Sequence, residues 1–303
     1  MGRGEFVSGI ELWPPLPPAA QWADTRETLH MWTQIAGKIR MAQTPLVNHW
    51  WNVTLYVTTR GLTTSPIPWD HESFAIDFDF IDHRLVITTS TGDIRTMELA
   101  PRSVAEFHRE LMALLASLGI HPKISTLPQE VENPIRFEED TQHASYDAAM
   151  VHRFWRAMRQ ADRVLKIFRA RFRGKASPVH FFWGSFDLAT TRFSGRPAPP
   201  RPEAGVIDRE AYCDECCSAG WWPGGGKWPQ AAFYSYAAPE PPGFAEKAPH
   251  YNLDTHLCEL PYETVRTSPD PDATVLDFFQ RVYDVAVELG RWPEGVESGR
   301  PVR

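Results

Sequence analysis

Two stretches of this chain repeat one another. SVAEFHRELMALLASLG (103–119) and TVLDFFQRVYDVAVELG (274–290) align without a gap, sharing Val, Phe, Leu and Gly and a Ser/Thr with Glu/Asp at the start. Each reads as a capped amphipathic helix stopped by glycine. A second pair precedes them. His49-Trp50-Trp51 leads to Thr58-Thr59-Arg60, and His180-Phe181-Phe182 leads to Thr190-Thr191-Arg192, one residue longer. With Gly184 in that longer run, the extra residue predicts a β-bulge. Self-similarity at this range constrains the fold more than any composition does, because each copy must form the same unit.

The first copy reads α-ββββ-α. Asp24 and Glu27 have capping-box spacing ahead of a helix in which Leu29, Trp32, Ile35, Ala36 and Ile39 share a face, and Pro45 ends it. Strands follow at Trp50–Arg60, Ser73–Ile81, Leu85–Thr89 and Ile94–Leu99, and alternation such as Phe74, Ile76 and Phe78 against Asp77 and Asp79 predicts an antiparallel meander covered on one face. The closing helix starts at a Ser103/Glu106 capping box and places Phe107, Leu111, Leu114 and Leu118 inward.

The second copy has the same order. A helix over 145–173 carries Phe154, Met158, Ala161, Leu165, Phe168 and Phe172 on one side and Arg153, Arg156, Arg159, Arg163, Lys166, Arg169 and Arg173 on the other. Strands are predicted near Val179–Phe193, Ala211–Ser218, Ala231–Ala237 and His256–Tyr262, and a last helix runs from Asp270-Pro271 to Gly290. The expectation is therefore an α+β chain of two antiparallel modules related by internal duplication and a pseudo-twofold. A Pro-rich strap (1–23) precedes the first module (24–119), and a linker loop (120–144) joins it to the second (145–290), which holds an insertion at about 195–250; a tail (291–303) follows.

Composition narrows the class. With 43% hydrophobic residues and 12 Trp the chain can bury a sizeable core, and its net charge of −7 argues against a nucleic-acid footprint over the whole surface. No apolar leader opens it, no run is long enough to span a bilayer, and the 4 Cys do not form a secreted disulfide pattern. These features point to a cytoplasmic protein with a small-molecule partner rather than a membrane or nucleic acid. Nothing names a cofactor or a protein partner.

Three motifs invite chemistry. His180, Ser185 and Asp187 have the side chains of a nucleophilic triad, yet strand alternation sets the last two opposite the first, and no Gly-x-Ser-x-Gly elbow is present. Cys213-x-x-Cys216, with Cys258 downstream, offers zinc-compatible ligands without a standard second half. Residues 151–175 hold nine basic residues and one acid, a stripe that binds an anionic partner or pairs with acids of the chain itself. The aromatics are richer. Trp183 and Trp222 lie on the same segments as His49, Arg60, His180, Arg192, Arg196 and Glu215, which suggests an aromatic-lined cleft with convergent polar groups.

Over NHWWNVTLYVTTRGL, SPVHFFWGSFDLATTRFSGRPAP, Gly220-Trp221-Trp222-Pro223-Gly224 and FYSYAAPEPPGF, the chain resembles a bacterial family known only as domain-of-unknown-function family 5996. The resemblance implies a full-length globular unit and transfers no catalytic residue. The reading that follows is a binding protein for a small polar or anionic molecule in a cleft between the modules, with His49, Arg60, His180, Arg192 and Arg196 as polar contacts and Trp183 and Trp222 as apolar ones. An enzyme at the same place is the alternative, a hydrolase or transferase with His180 as general base and Asp187 or Glu215 as its partner. An interaction module using the basic helix is a third.

Overall fold

In a computed structural model, residues 12–226 and 228–293 are described; the remainder of the expected strap and tail lies outside them. The chain is α+β with two antiparallel sheets. It divides into two compact units, one of residues 20–155 with 180–187 and one of 1–19, 156–179 and 188–303.

The first unit opens with helix α1 (Ala23–Gln43). Its N-cap is Trp22 and carries no side-chain bond, so the expected Asp24/Glu27 box does not form. A 3-10 turn, Ala19–Trp22, runs straight into the helix and sets Asp24 one step inside, where its charge meets only the positive helix end. The far end behaves as read: Pro45 forces Thr44 into the extended region, and Thr44 closes the last turn by donating its N–H to the Arg40 carbonyl. Burial is nearly unbroken from Leu29 to Arg40, so α1 is a central helix rather than an amphipathic surface one.

Six short strands follow: β1 (Tyr56–Val57), β2 (Gly61–Thr63), β3 (Ile67–Trp69), β4 (Glu72–Asp79), β5 (Arg84–Thr89) and β6 (Ile94–Glu98). Their order is β1-β2-β4-β5-β6, with β3 on β4. Phe74, Ile76 and Phe78 face inward as the alternation requires, and Ile76 and Phe78 stand opposite Ile87 and Leu85. Helix α2 (Val104–Ala116) has the full Ser103/Glu106 capping box. Its buried stripe is Phe107, Leu111 and Leu115, an i, i+4, i+8 row, instead of the heptad through Leu114 and Leu118. Trp32 of α1 stacks on Phe107 at 4.6 Å, joining the two helices over the sheet.

The strand expected at Trp50–Arg60 is mostly absent. Asn48–Trp50 is a 3-10 turn with His49 and Trp50 at positive φ, and only Tyr56–Val57 pairs. Asn52 explains this: its Oδ1 accepts from the Val47 N–H at 3.1 Å and its Nδ2 donates to Thr44 Oγ1, so the side chain holds the backbone in a loop. The ladder is completed from far away in sequence. Leu55 exchanges backbone hydrogen bonds of 3.0 and 2.9 Å with Phe181 on β7 (His180–Phe182).

Helix α3 (Ala148–Ala170) supplies its later residues to the second unit, which holds β8 (Asp187–Pro197), β9 (Asp214–Trp222), β10 (Ala232–Ala238), β11 (Tyr251–Asn252) and β12 (Leu257–Pro261) in the order β11-β12-β10-β9-β8. Short helices α4 (Val206–Ala211), α5 (Phe244–Lys247) and α6 (Tyr262–Arg266) lie between strands, and α7 (Pro271–Gly290) ends the described fold. The Asp270 cap is as read, its carboxylate accepting from the Ala273 N–H at 3.0 Å with Pro271 in the first turn. Within the stretch expected as an insertion, 195–250, the strands expected near Ala211–Ser218 and Ala231–Ala237 form as β9 and β10 and lie in the interior of this sheet. No bulge forms at Gly184. The run breaks into β7 and β8 at a turn closed by Phe186 N–H on the Phe182 carbonyl, with Phe186 at φ 60°.

Candidate functional site

The first unit concentrates buried positive charge on α1. Lys38 is 1% exposed and Arg40 is 8% exposed. Arg40 donates from Nε to the Asn52 carbonyl at 2.7 Å and lays its guanidinium over the Tyr56 ring at 5.6 Å, while its Nη1 is buried with no acceptor among the described residues. Burial is the main cause that lowers its pKa, although a guanidinium stays charged at any ordinary pH. Tyr56 in turn lies edge-on to His180 at 5.6 Å, and His180 touches Trp51 at 5.9 Å and Phe182 at 5.5 Å. His49 sits against Trp51 at 5.6 Å. Both histidines are buried, whereas Trp51, Tyr56 and Phe182 are half-buried and bring this arrangement toward the surface.

Lys38 has a separate neighbour. Its Nζ lies 5.9 Å from the centroid of the Trp183 ring and has no hydrogen-bond acceptor among the described residues; desolvation lowers its pKa. Trp183 is fixed on two sides. Its Nε1 donates to the Val53 carbonyl at 2.8 Å, and Gly37 leaves the gap on α1 into which the indole fits. The turn beyond it is pinned by His30, whose Nε2 lies 2.9 Å from the carbonyls of both Trp183 and Gly184. Burial pushes His30 down to about 4, so at neutral pH it is an uncharged donor to these oxygens. A folded-state value below that of the unfolded chain means stability is present above the ordinary histidine pKa and drains away as pH falls toward 4. Thermal unfolding followed between pH 7 and 4 is expected to show that loss, reduced in His30→Asn.

The other sequence-derived residues of this unit do something else. Arg60 is half-exposed and clamps a turn, bonding Asp79 at 2.6 Å and Asp82 at 2.7 Å. Ser185 donates straight to Asp187 at 2.5 Å. A carboxylate alone is a poor base for a hydroxyl, and this pair does not make the serine a nucleophile.

In the second unit, Arg192 lies in the core at 1% exposure, with its guanidinium 3.5 Å from the Phe168 ring and its Nη2 donating to the Phe168 carbonyl. It anchors the end of α3. Arg196 pairs with Glu215 at 2.7 Å and donates to the carbonyls of Gly290 and Arg291, so these two candidates tie β8 and β9 to the end of α7. Trp222 packs 4.3 Å from Trp228. Two open cavities, of about 250 and 520 Å³, share Ala237, Ala238 and Glu240. In their lining Tyr212 and Tyr236 share a hydrogen bond of 3.0 Å, and Glu240 accepts from Tyr251 at 2.6 Å.

Burial pushes Cys216 and Cys258 up to about 12 and Cys217 to about 11, and raises Cys213. Cys216 and Cys217 are also neighbours on β9 and point to opposite faces. The basic helix is partly answered within the chain, Arg163 making a two-pronged bond to Asp272 and Lys166 reaching Asp162. Among the described residues no helix is long and apolar enough to cross a membrane.

Sequence reasoning missed Lys38 and Arg40, although a signal was present. Residues 28–69 contain no Asp or Glu, so cations there have no nearby acid in sequence. No curated protein and no solved structure matches the chain. One family profile does, over residues 13–297, and the chain therefore belongs to the family of unknown function DUF5996.

Proposed function

We propose that the unit of residues 20–155 and 180–187 binds a small anionic molecule beside Arg40, Tyr56 and His180. One observation carries the reading: a guanidinium that cannot lose its proton is buried with one nitrogen lacking an acceptor. A buried charge of this kind costs several kcal/mol unless a counter-charge meets it. A carboxylate or phosphate oxygen suits the planar donor edge of arginine. The rings of His180, Trp51 and Tyr56 supply aromatic contact beside it.

Calorimetric titration of the purified chain with inorganic phosphate, acetate and pyruvate tests this. At least one of these anions is expected to bind, and Arg40→Gln should weaken it by about 10- to 100-fold, the range for a charged hydrogen bond. Heat signals absent for all three anions, or an unchanged affinity in a folded Arg40→Gln, would remove the site.

A further inference from the structure

We infer that the larger cavity of the second unit, about 520 Å³, binds a free α-amino acid with an aromatic side chain. It belongs to the other unit from Arg40, and the inference stands apart from the anion reading. The walls come from both sides of β10. Arg201 and Tyr212 precede β9, Thr255 and His256 lead into β12, and β9 and β12 are the two neighbours of β10 in the sheet. Tyr236 of β10 lies between, its hydroxyl bonded to that of Tyr212 at 3.0 Å. Glu240 follows β10 and is held on the β12 side by Tyr251 of β11, which donates to its Oε2 at 2.6 Å. The cavity thus has a cation at one side and an anion at the other. Neither Arg201 nor Glu240 forms an ion pair among the described residues.

Hydrogen-bond direction sharpens this polarity. A carboxylate only accepts, so Tyr251 gives its proton to Glu240, and its oxygen is left to accept from His256 Nδ1–H at 3.1 Å. The neutral imidazole then keeps its lone pair on Nε2. Thr255 directs its own proton to Glu259 at 2.6 Å, so its oxygen also offers lone pairs only. With Glu240, that side presents acceptors from three residues, and an ammonium group has three N–H donors to meet them. The other side is a donor: the Arg201 guanidinium, 4.8 Å over the Tyr212 ring, has the planar edge that suits a carboxylate. A plain anion would face Glu240, and a plain amine would face Arg201. Only a molecule carrying both charges answers both sides. The Tyr212 and Tyr236 rings, with Ala237, Ala238 and Leu257 beside them, give the lining an aromatic and apolar part that fits a ring side chain.

Calorimetric titration of the full chain at neutral pH compares L-phenylalanine with phenylpropionate, which lacks the ammonium, and phenethylamine, which lacks the carboxylate. L-Phenylalanine is expected to bind at least about tenfold more tightly than either, as the loss of a charged hydrogen bond implies. Arg201→Gln should remove its advantage over phenethylamine, and Glu240→Gln its advantage over phenylpropionate, each weakening L-phenylalanine by about 10- to 100-fold. Both side chains are exposed, so neither change threatens the fold. Arg40→Gln should leave L-phenylalanine binding unchanged. Absence of heat from L-phenylalanine, or equal affinity for phenylpropionate, would overturn the proposal. So would a loss seen with Arg40→Gln and not with Arg201→Gln, which would assign the carboxylate to the anion site instead.

Discussion

Arg192→Ala is expected to destabilise the protein by about 3–5 kcal/mol, read as the shift in the urea midpoint. The side chain is wholly enclosed and makes two kinds of contact at once. Its guanidinium faces Phe168 at 3.5 Å, Tyr283 at 4.4 Å and Phe172 at 5.3 Å. Its Nη2 donates at 2.5 Å to the carbonyl of Phe168, in the last turn of α3, an oxygen that also accepts a longer bond of 3.3 Å from the Arg171 N–H. Alanine removes the packing and the charge together. Arg192→Met keeps most of the hydrocarbon and should recover roughly half of the loss, because burying an apolar chain in place of an ion is often tolerated. A stable Arg192→Ala that fails to bind anions would instead return this residue to the role its sequence neighbourhood suggested.

Gly37→Ala should cost about 2 kcal/mol, although alanine is the better helix former by about 1 kcal/mol. The new methyl would fall inside the Trp183 indole, so either α1 shifts or the indole releases the Val53 carbonyl. The indole N–H resonance of Trp183, assigned through Trp183→Phe, is expected to move toward the solvent position. A stability gain of the size that helix propensity alone gives would show that the gap is not needed.

What could be read in advance was local. The Ser103/Glu106 box and the Asp270-Pro271 start depend on a few adjacent residues, and the pairing of β4, β5 and β6 on period-two alternation, so each formed as read. The failures came where distant chain decides. Trp50–Arg60 is rich in strand formers, yet Asn52 and Thr44 hold it as a loop, and its one long-range bridge comes from Phe181. Thr58-Thr59-Arg60 and Thr190-Thr191-Arg192 look alike in sequence but differ in setting, a turn clamped to Asp79 in one case and mid-strand in β8 in the other. Of the expected ligand contacts, His49, His180 and Trp183 fall in the unit that also buries Lys38 and Arg40. The two cations escaped notice because an amphipathic pattern assigns charged residues to water, and α1 is buried almost all round.

The unit that carries this site is discontinuous: residues 180–187 belong to it although 156–179 do not. During synthesis its helix and meander leave the ribosome well before β7, Trp183 and the carbonyls that His30 holds. Until then the partner for Leu55 is missing and the slot at Gly37 stands empty. A fragment ending at residue 155 would therefore keep Arg40 and Tyr56 and lack His180 and Trp183, and a protease cut between 155 and 180 after folding would leave the two pieces of this unit held together by contacts alone.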